Sequence, residues 1–204
     1  MTSELLWDSA GANAPVLLLA HGAGAPMDSE FMNLLTARLV EQGVSVARFE
    51  FPYMQKRRTE GGRRPPDRQP VLLAHFAAVL DQLEGPVFVG GKSMGGRMAS
   101  LLACERDLSG VIAFGYPFVP PGSDKPPRIE HFQGLRAPLL VCQGERDAFG
   151  DRDRVMALPL GEKTKVVWIP DGNHDLKPRK VSGHDWQGNI RLAAEFAATF
   201  IRQG

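Results

Sequence analysis

Short apolar runs, spaced along the whole chain and bounded by turn residues, leave few folds open to it. They are Val16–Ala20, Val44–Phe49, Pro86–Gly90, Val111–Gly115, Pro138–Cys142 and Lys165–Ile169. A strand with one face in water alternates apolar and polar residues. These runs hardly alternate, so both faces of each strand must be covered, as in a parallel sheet. The intervening segments supply the covers. Asp28–Glu41 places Phe31, Leu34, Leu35 and Leu39 near one stripe, with Asp28 placed to cap the helix. Gln69–Leu83, Gly95–Arg106 and Gln187–Arg202 repeat helical spacing. Strand and helix in alternation predict an α/β fold, a mostly parallel doubly wound sheet of about six or seven strands. In such sheets ligands sit beyond the carboxyl ends of the strands, so the segments after each strand matter most.

The bulk properties narrow the function classes. A chain of 204 residues suits one domain, here 1–204, and can bury a core without staples. The formal net charge is +1, which gives no global field toward nucleic acid or a membrane surface. The two cysteines, Cys104 and Cys142, lie far apart, against a disulfide scaffold or a Cys-rich zinc site. Met1–Gly11 has no basic-then-apolar leader pattern, and no apolar stretch approaches the roughly 20 residues of a membrane span. The expectation is a soluble cytoplasmic protein without nucleic-acid or membrane partners.

The strongest chemical signal is Gly91-Lys92-Ser93-Met94-Gly95, a G-x-S-x-G motif between an apolar run and a helical segment. A serine on a sharp strand-to-helix turn lifts its hydroxyl clear of the sheet, and the flanking glycines let the backbones pass closely. The helix N-terminus behind it favours developing negative charge. A phosphate-binding loop, G-x-x-x-x-G-K-[ST], would overlap the same residues, but its first glycine would fall on Pro86.

A serine nucleophile needs a base, and the base needs a group that fixes its tautomer. In sites of this kind the acid and the histidine follow the serine in chain order on later strand ends. Asp147 follows Pro138–Cys142, and His174 follows Lys165–Ile169. Glu145 is the alternative acid, but it lies closer to the strand end. His184 reads as a surface or capping histidine, and His75 and His131 as structural. Asp171, His174, Asp175 and His184 lack the tight spacing of a metal site, so no metal is assigned. The oxyanion hole would use the N–H of Met94 and that of Ala23 or Gly24 in the loop His21-Gly-Ala-Gly-Ala25, with His21 as a brace. No cofactor is needed.

Through His21-Gly-Ala-Gly-Ala25, Gly-Gly-Lys-Ser-Met-Gly-Gly-Arg97, Gln-Gly-Glu-Arg-Asp-Ala-Phe-Gly150 and Gly-Asn-His-Asp-Leu176, the chain resembles the α/β-hydrolase superfamily over nearly its whole length. It is most similar to a compact lidless group near the dienelactone hydrolases, related to the hydrolase-like subunit three of the non-specific lethal chromatin complex. The resemblance implies acyl transfer through Ser93, His174 and Asp147. Dienelactone hydrolases use a cysteine nucleophile, so their activity does not transfer to Ser93. Larger superfamily members insert a helical cap after the strand corresponding to Val111–Gly115. Here only Tyr116–Arg136 intervenes, so no substantial cap is expected. The site should be shallow, with substrate-binding residues Tyr53, Tyr116 and Phe118 at its edge. The expected reaction is hydrolysis of a small-molecule carboxylic ester or thioester.

One stretch departs from the alternating rhythm. Lys56–Arg68 carries six basic and two acidic residues and no large apolar side chain, which predicts an exposed loop. It would be either a plain solvated connection or a rim that attracts an anionic substrate or protein. The resemblance also implies a rival to catalysis, a binding or scaffold protein that uses this basic loop, because some relatives serve as scaffolds.

Overall fold

The structure is a computed structural model that describes residues 4–123 and 125–204. Met1–Ser3, where the N-terminal reading begins, lie outside the described residues, as does Asp124 in the Tyr116–Arg136 connection. The strands are β1 (Leu6–Asp8), β2 (Val16–Ala20), β3 (Ser45–Phe49), β4 (Val87–Lys92), β5 (Gly110–Phe114), β6 (Leu139–Gly144) and β7 (Thr164–Ile169). They form one seven-stranded sheet in the order β1-β3-β2-β4-β5-β6-β7, parallel except for β1, which runs antiparallel to β3.

The helices are α1 (Glu30–Glu41), α2 (Pro52–Glu60), α3 (Gln69–Leu80), α4 (Met94–Leu102), α5 (Arg152–Met156) and α6 (Trp186–Gln203). Because side chains alternate across a strand, the central strands feed two cores at once. Leu17 and Leu19 of β2 pack with Phe31 and Leu35 of α1 and with Ile190 and Ala194 of α6. Leu18 and Ala20 point the other way, to Leu72 and Phe76 of α3 and Met98 and Leu102 of α4. This double burial explains why the runs hardly alternate.

The winding places the site. From β2 the chain passes outward to β3, then returns to β4 on the opposite side of β2. The loops after β2 and β4 therefore diverge and leave a crevice at the carboxyl edge.

The structure corrects the sequence reading in several places. Asp28 does not cap α1. Ser29 precedes the helix, and the Asp28 carboxylate is drawn off to Arg58 at 2.8 Å. The first part of Lys56–Arg68 is not loop but the second half of α2, which buries Tyr53 and Met54 ahead of it. The expectation of no substantial cap holds: between β5 and β6 there is a single 3₁₀ turn, Phe132–Gly134, and no cap domain among the described residues.

Candidate active site

The strand–turn–helix at the end of β4 holds Ser93 at φ 51°, a left-handed conformation that is strained for a residue with a side chain. The neighbouring glycines make the turn possible by close approach. A Cβ on Gly91 would lie 2.4 Å from the Gly95 carbonyl carbon, and one on Gly95 would lie 2.6 Å from the Ala20 carbonyl oxygen. The elbow is thus wedged between α4 and β2, with Ser93 standing at its apex.

Two later strand ends bring the remaining groups to this point. The His174 Nε2 lies 2.7 Å from Ser93 Oγ, and its Nδ1 lies 2.8 Å from Asp147 Oδ2. A carboxylate only accepts, so Nδ1 carries the ring proton and Nε2 is left to accept from the serine hydroxyl. Asp147 is fully buried, while the His174 side chain keeps 22% exposure, open to the cleft. The buried charge has further donors. Gln143 Nε2 donates to Oδ2 at 2.9 Å, and the Phe149 N–H donates to Oδ1 at 2.8 Å. Glu145 instead pairs with Arg152 and accepts from the Asp171 N–H, away from the imidazole.

Ala23 and Gly24 lie across the cleft from these groups. Tyr53 Oη donates to the Ala23 carbonyl at 2.9 Å, and Arg57 donates to the Gly24 carbonyl at 3.0 Å. His21, fully buried, accepts from the Phe51 N–H at Nε2 and so donates from Nδ1 to the Gly22 carbonyl at 2.6 Å. Burial pushes its pKa down and keeps it neutral. In a trans peptide the N–H points opposite to the C=O. Holding the Gly22 and Ala23 carbonyls on the Tyr53 side therefore turns the Ala23 and Gly24 N–H groups the other way. No backbone acceptor engages the N–H groups of Ala23, Gly24 or Met94 among the described residues. Met94 opens α4 beside the serine, and its N–H belongs to the first helical turn.

The three residues expected to line the substrate are core residues instead. Tyr53 is 2% exposed, and Tyr116 and Phe118 are fully buried. Tyr53 supports the loop at Ala23. The backbone of Tyr116 is clamped by the Gln143 side chain, its N–H donating to Oε1 at 2.7 Å and its carbonyl accepting from Nε2 at 3.2 Å. Large rings just after strand ends close the core beneath the rim rather than form the rim.

The cleft at Ser93, about 370 Å³, has Phe31, Met32 and Phe149 for an apolar wall and the 22–25 loop opposite. Phe149 stacks on His174 with centroids 4.3 Å apart. Lys92, next to the serine, buries its ammonium 3.2 Å from Asp175, next to the histidine. Its Nζ also sits 5.3 Å from the Phe31 ring centroid. Burial pushes the Lys92 pKa down and Asp175 opposes the shift. A second crossing thus ties the elbow to the histidine loop beside the first. Sequence reasoning missed Lys92, Gln143, Phe149 and Asp175. Lys92 and Gln143 left a trace, as polar residues inside otherwise apolar strands.

The other histidines do not join the site. His75 contacts the Glu50 carbonyl, His131 contacts Ser100 Oγ at 2.8 Å, and His184 is exposed. Asp171 is taken up by Arg146 and Arg179. Among the described residues no group of three or more His, Cys, Asp or Glu side chains could hold a metal ion.

Comparisons with known proteins agree with this fold. A family profile described as an alpha/beta hydrolase domain matches residues 13–202. Among solved structures the chain is similar to a dienelactone hydrolase from Anabaena variabilis, with 18% identity, a TM-score of 0.72, and 98% of this chain and 90% of that one covered. It is similar to the protein Est1E from Butyrivibrio proteoclasticus, with 17% identity, a TM-score of 0.69, and 97% and 94% covered. It is also similar to a Xanthomonas campestris protein described as a serine hydrolase without lid, with 18% identity, a TM-score of 0.65, and 95% and 88% covered.

Proposed function

The chain belongs to the alpha/beta hydrolase family, and from that premise we propose that it is a serine hydrolase cleaving a carboxylic ester or thioester through an acyl-enzyme intermediate. The observation that carries the reading is the continuous chain Ser93 Oγ, His174 Nε2, His174 Nδ1 and Asp147 Oδ2, with links of 2.7 and 2.8 Å. A scaffold has no use for a strained serine aimed at a correctly protonated imidazole.

Ser93 Oγ attacks the substrate carbonyl while His174 takes its proton at Nε2. Asp147, held buried by Gln143 and the Phe149 N–H, keeps the ring in its tautomer and stabilises the imidazolium as it forms. The carbonyl oxygen becomes an oxyanion that accepts from Met94 N–H and from Ala23 or Gly24 N–H. These donors are fixed beforehand, so little reorganisation accompanies the charge. His174 then returns the proton to the leaving alcohol or thiol, and a water repeats the sequence to free the acid. The lidless cleft suits a small acyl group. The reading takes 1–204 as one domain, supported by the single sheet. It also places the protein in the cytoplasm, supported by Cys104 and Cys142 both being free. Among the described residues no helix is long and apolar enough to cross a membrane.

Hydrolysis of p-nitrophenyl acetate and butyrate and of their thioester counterparts, by wild type and Ser93→Ala, tests the proposal. Turnover by the wild type that vanishes in the variant supports it. Equal rates from both proteins would overturn it.

A further inference from the structure

We infer that the substrate carries an anionic group, a carboxylate or a phosphoryl group, seated in a second cleft immediately beyond the proposed oxyanion loop. The inference rests on the hydrolase reading and adds the substrate class. This cleft, about 440 Å³, is lined by Ala23, Gly24, Arg57, Arg63, Arg64 and Pro65. It shares Ala23 and Gly24 with the cleft at Ser93. One loop of backbone therefore separates the reacting carbonyl from three guanidinium groups, with no acidic residue in the lining.

The basic segment is built into this position rather than trailing in solvent. Helix α2 ends at Glu60, and Gly61 and Gly62 follow with φ of +74° and +78°. Two successive left-handed residues reverse the chain, a turn that residues with side chains take only under strain. The reversal brings Arg63 and Arg64 back beside Arg57. Pro65 and Pro66 stiffen the return, and the Asp67 carboxylate then accepts from the Tyr53 N–H at 3.0 Å, closing the arch onto the start of α2. Arg57 reaches from the arch to the Gly24 carbonyl, so the arch and the oxyanion loop are one connected unit.

Two of the three charges at the cleft, Arg57 and Arg63, have no acidic partner among the described residues. Arg58, on the same helix, is consumed by Glu50 and Asp28. Arg64 pairs with exposed Glu60. Arg63 is exposed and has no partner among the described residues. Arg57 donates to the neutral Gly24 carbonyl and has no acidic partner among the described residues. Planar guanidinium donors grouped at a cleft match the oxygens of a carboxylate or phosphoryl group. Exposed arginines acting together also draw anions from solution, an effect that salt weakens.

The test compares kcat/KM for p-nitrophenyl butyrate with that for esters of similar length ending in a carboxylate or a phosphonate. The charge is placed first on the acyl side, as in mono-p-nitrophenyl glutarate, then on the leaving group. At low salt at least one anionic ester should exceed its neutral partner about tenfold, and the margin should shrink at 0.5 M salt (about a 4 Å screening length). The anion that gains more identifies the source, carboxylate or phosphoryl. In Arg63→Ser/Arg64→Ser the anionic-to-neutral ratio should fall toward one, while Lys180→Ser/Arg191→Ser, which removes the same charge elsewhere, should keep it. Equal turnover of charged and neutral esters overturns the inference and leaves the hydrolase reading standing, and capture of an acidic protein through Arg63 and Arg64 would then recast the arch as a docking surface. If no ester is turned over, the hydrolase reading fails. Calorimetric binding of glutaranilic acid and its phosphonate analogue against butyranilide, with both double variants, still decides the inference: tighter binding of an anion that needs Arg63 and Arg64 sustains it, and equal binding ends it.

Discussion

The two rims of the cleft are built on opposite plans. After β4, β6 and β7 the groups at the centre of the proposed chemistry are side chains, and buried hydrogen bonds from other side chains fix them. Asp147 is held by Gln143, and His174 is stacked by Phe149. After β2 the groups are backbone amides, and side chains act only by gripping the carbonyls on their far side. Tyr53 and Arg57 do so from α2, and His21 from within the loop. In the proposed reaction the first plan would supply proton transfer with a defined tautomer, and the second would supply an oxyanion site with donors fixed by the backbone. An acyl transfer needs both, and the crevice at the β2–β4 crossing is where the winding lets them face each other.

Breaking the side-chain rim should have the largest effect. Ser93→Ala or His174→Ala should each lower kcat by about 10⁵- to 10⁶-fold, and the double variant by little more, because the two act as a unit. Steady-state ester hydrolysis reads this. Asp147→Asn should cost about 10⁴-fold in kcat, since the amide presents a donor to Nδ1 and selects the wrong tautomer.

The backbone rim should respond more gently and more selectively. Tyr53→Phe removes the hydroxyl that holds the Ala23 carbonyl and should lower kcat about tenfold with KM little changed. Tyr116→Phe removes a bond of similar length, 2.8 Å to the Arg128 carbonyl. It should lower stability by about 1 kcal/mol in denaturant titration and leave kcat alone. If the two variants behave alike, the contrast between the rims is wrong. Lys92→Met, which cuts the tie between the elbow and the histidine loop, should lower kcat about tenfold without raising KM.

The smallest effect concerns pH. Burial lowers the His131 pKa from its ordinary 6.5 to about 4. The unfolded chain therefore takes up this proton at a higher pH than the folded one. The stabilisation from keeping the ring neutral is fully present above pH 6.5 and is lost as pH falls from 6.5 toward 4. Melting temperatures of wild type and His131→Gln, measured across that window, should converge as pH falls.

The difference between the rims also sets what the sequence discloses. Five strands, β2 to β6, are legible because double burial removes alternation; β7, a half-buried edge strand, is legible from its Val-Val-Trp-Ile run, and the structure places each of the six within a residue or two of its apolar run. The edge strand β1 is not, because three residues with Leu6 and Trp7 exposed make no apolar run. Helix α2 hides because its polar half carries the basic run, although Pro52 at its start and Gly61 at its end are the boundary residues a helix prefers. At the site, Ser93 is marked by its glycines, and Asp147 and His174 by their places after strands. Their approach to within hydrogen-bond distance belongs to the fold and has no one-dimensional trace. Tyr53, Tyr116 and Phe118 mislead because position after a strand says nothing of which way a ring turns.

The central claim is that Ser93 is a nucleophile activated by His174, and labelling with a fluorophosphonate probe followed by peptide mass analysis tests it most directly. A single phosphonyl adduct on Ser93, formed rapidly in the wild type and lost in His174→Ala, is the predicted result. A folded wild-type protein that takes no label, or takes it equally on Ser100, would contradict it.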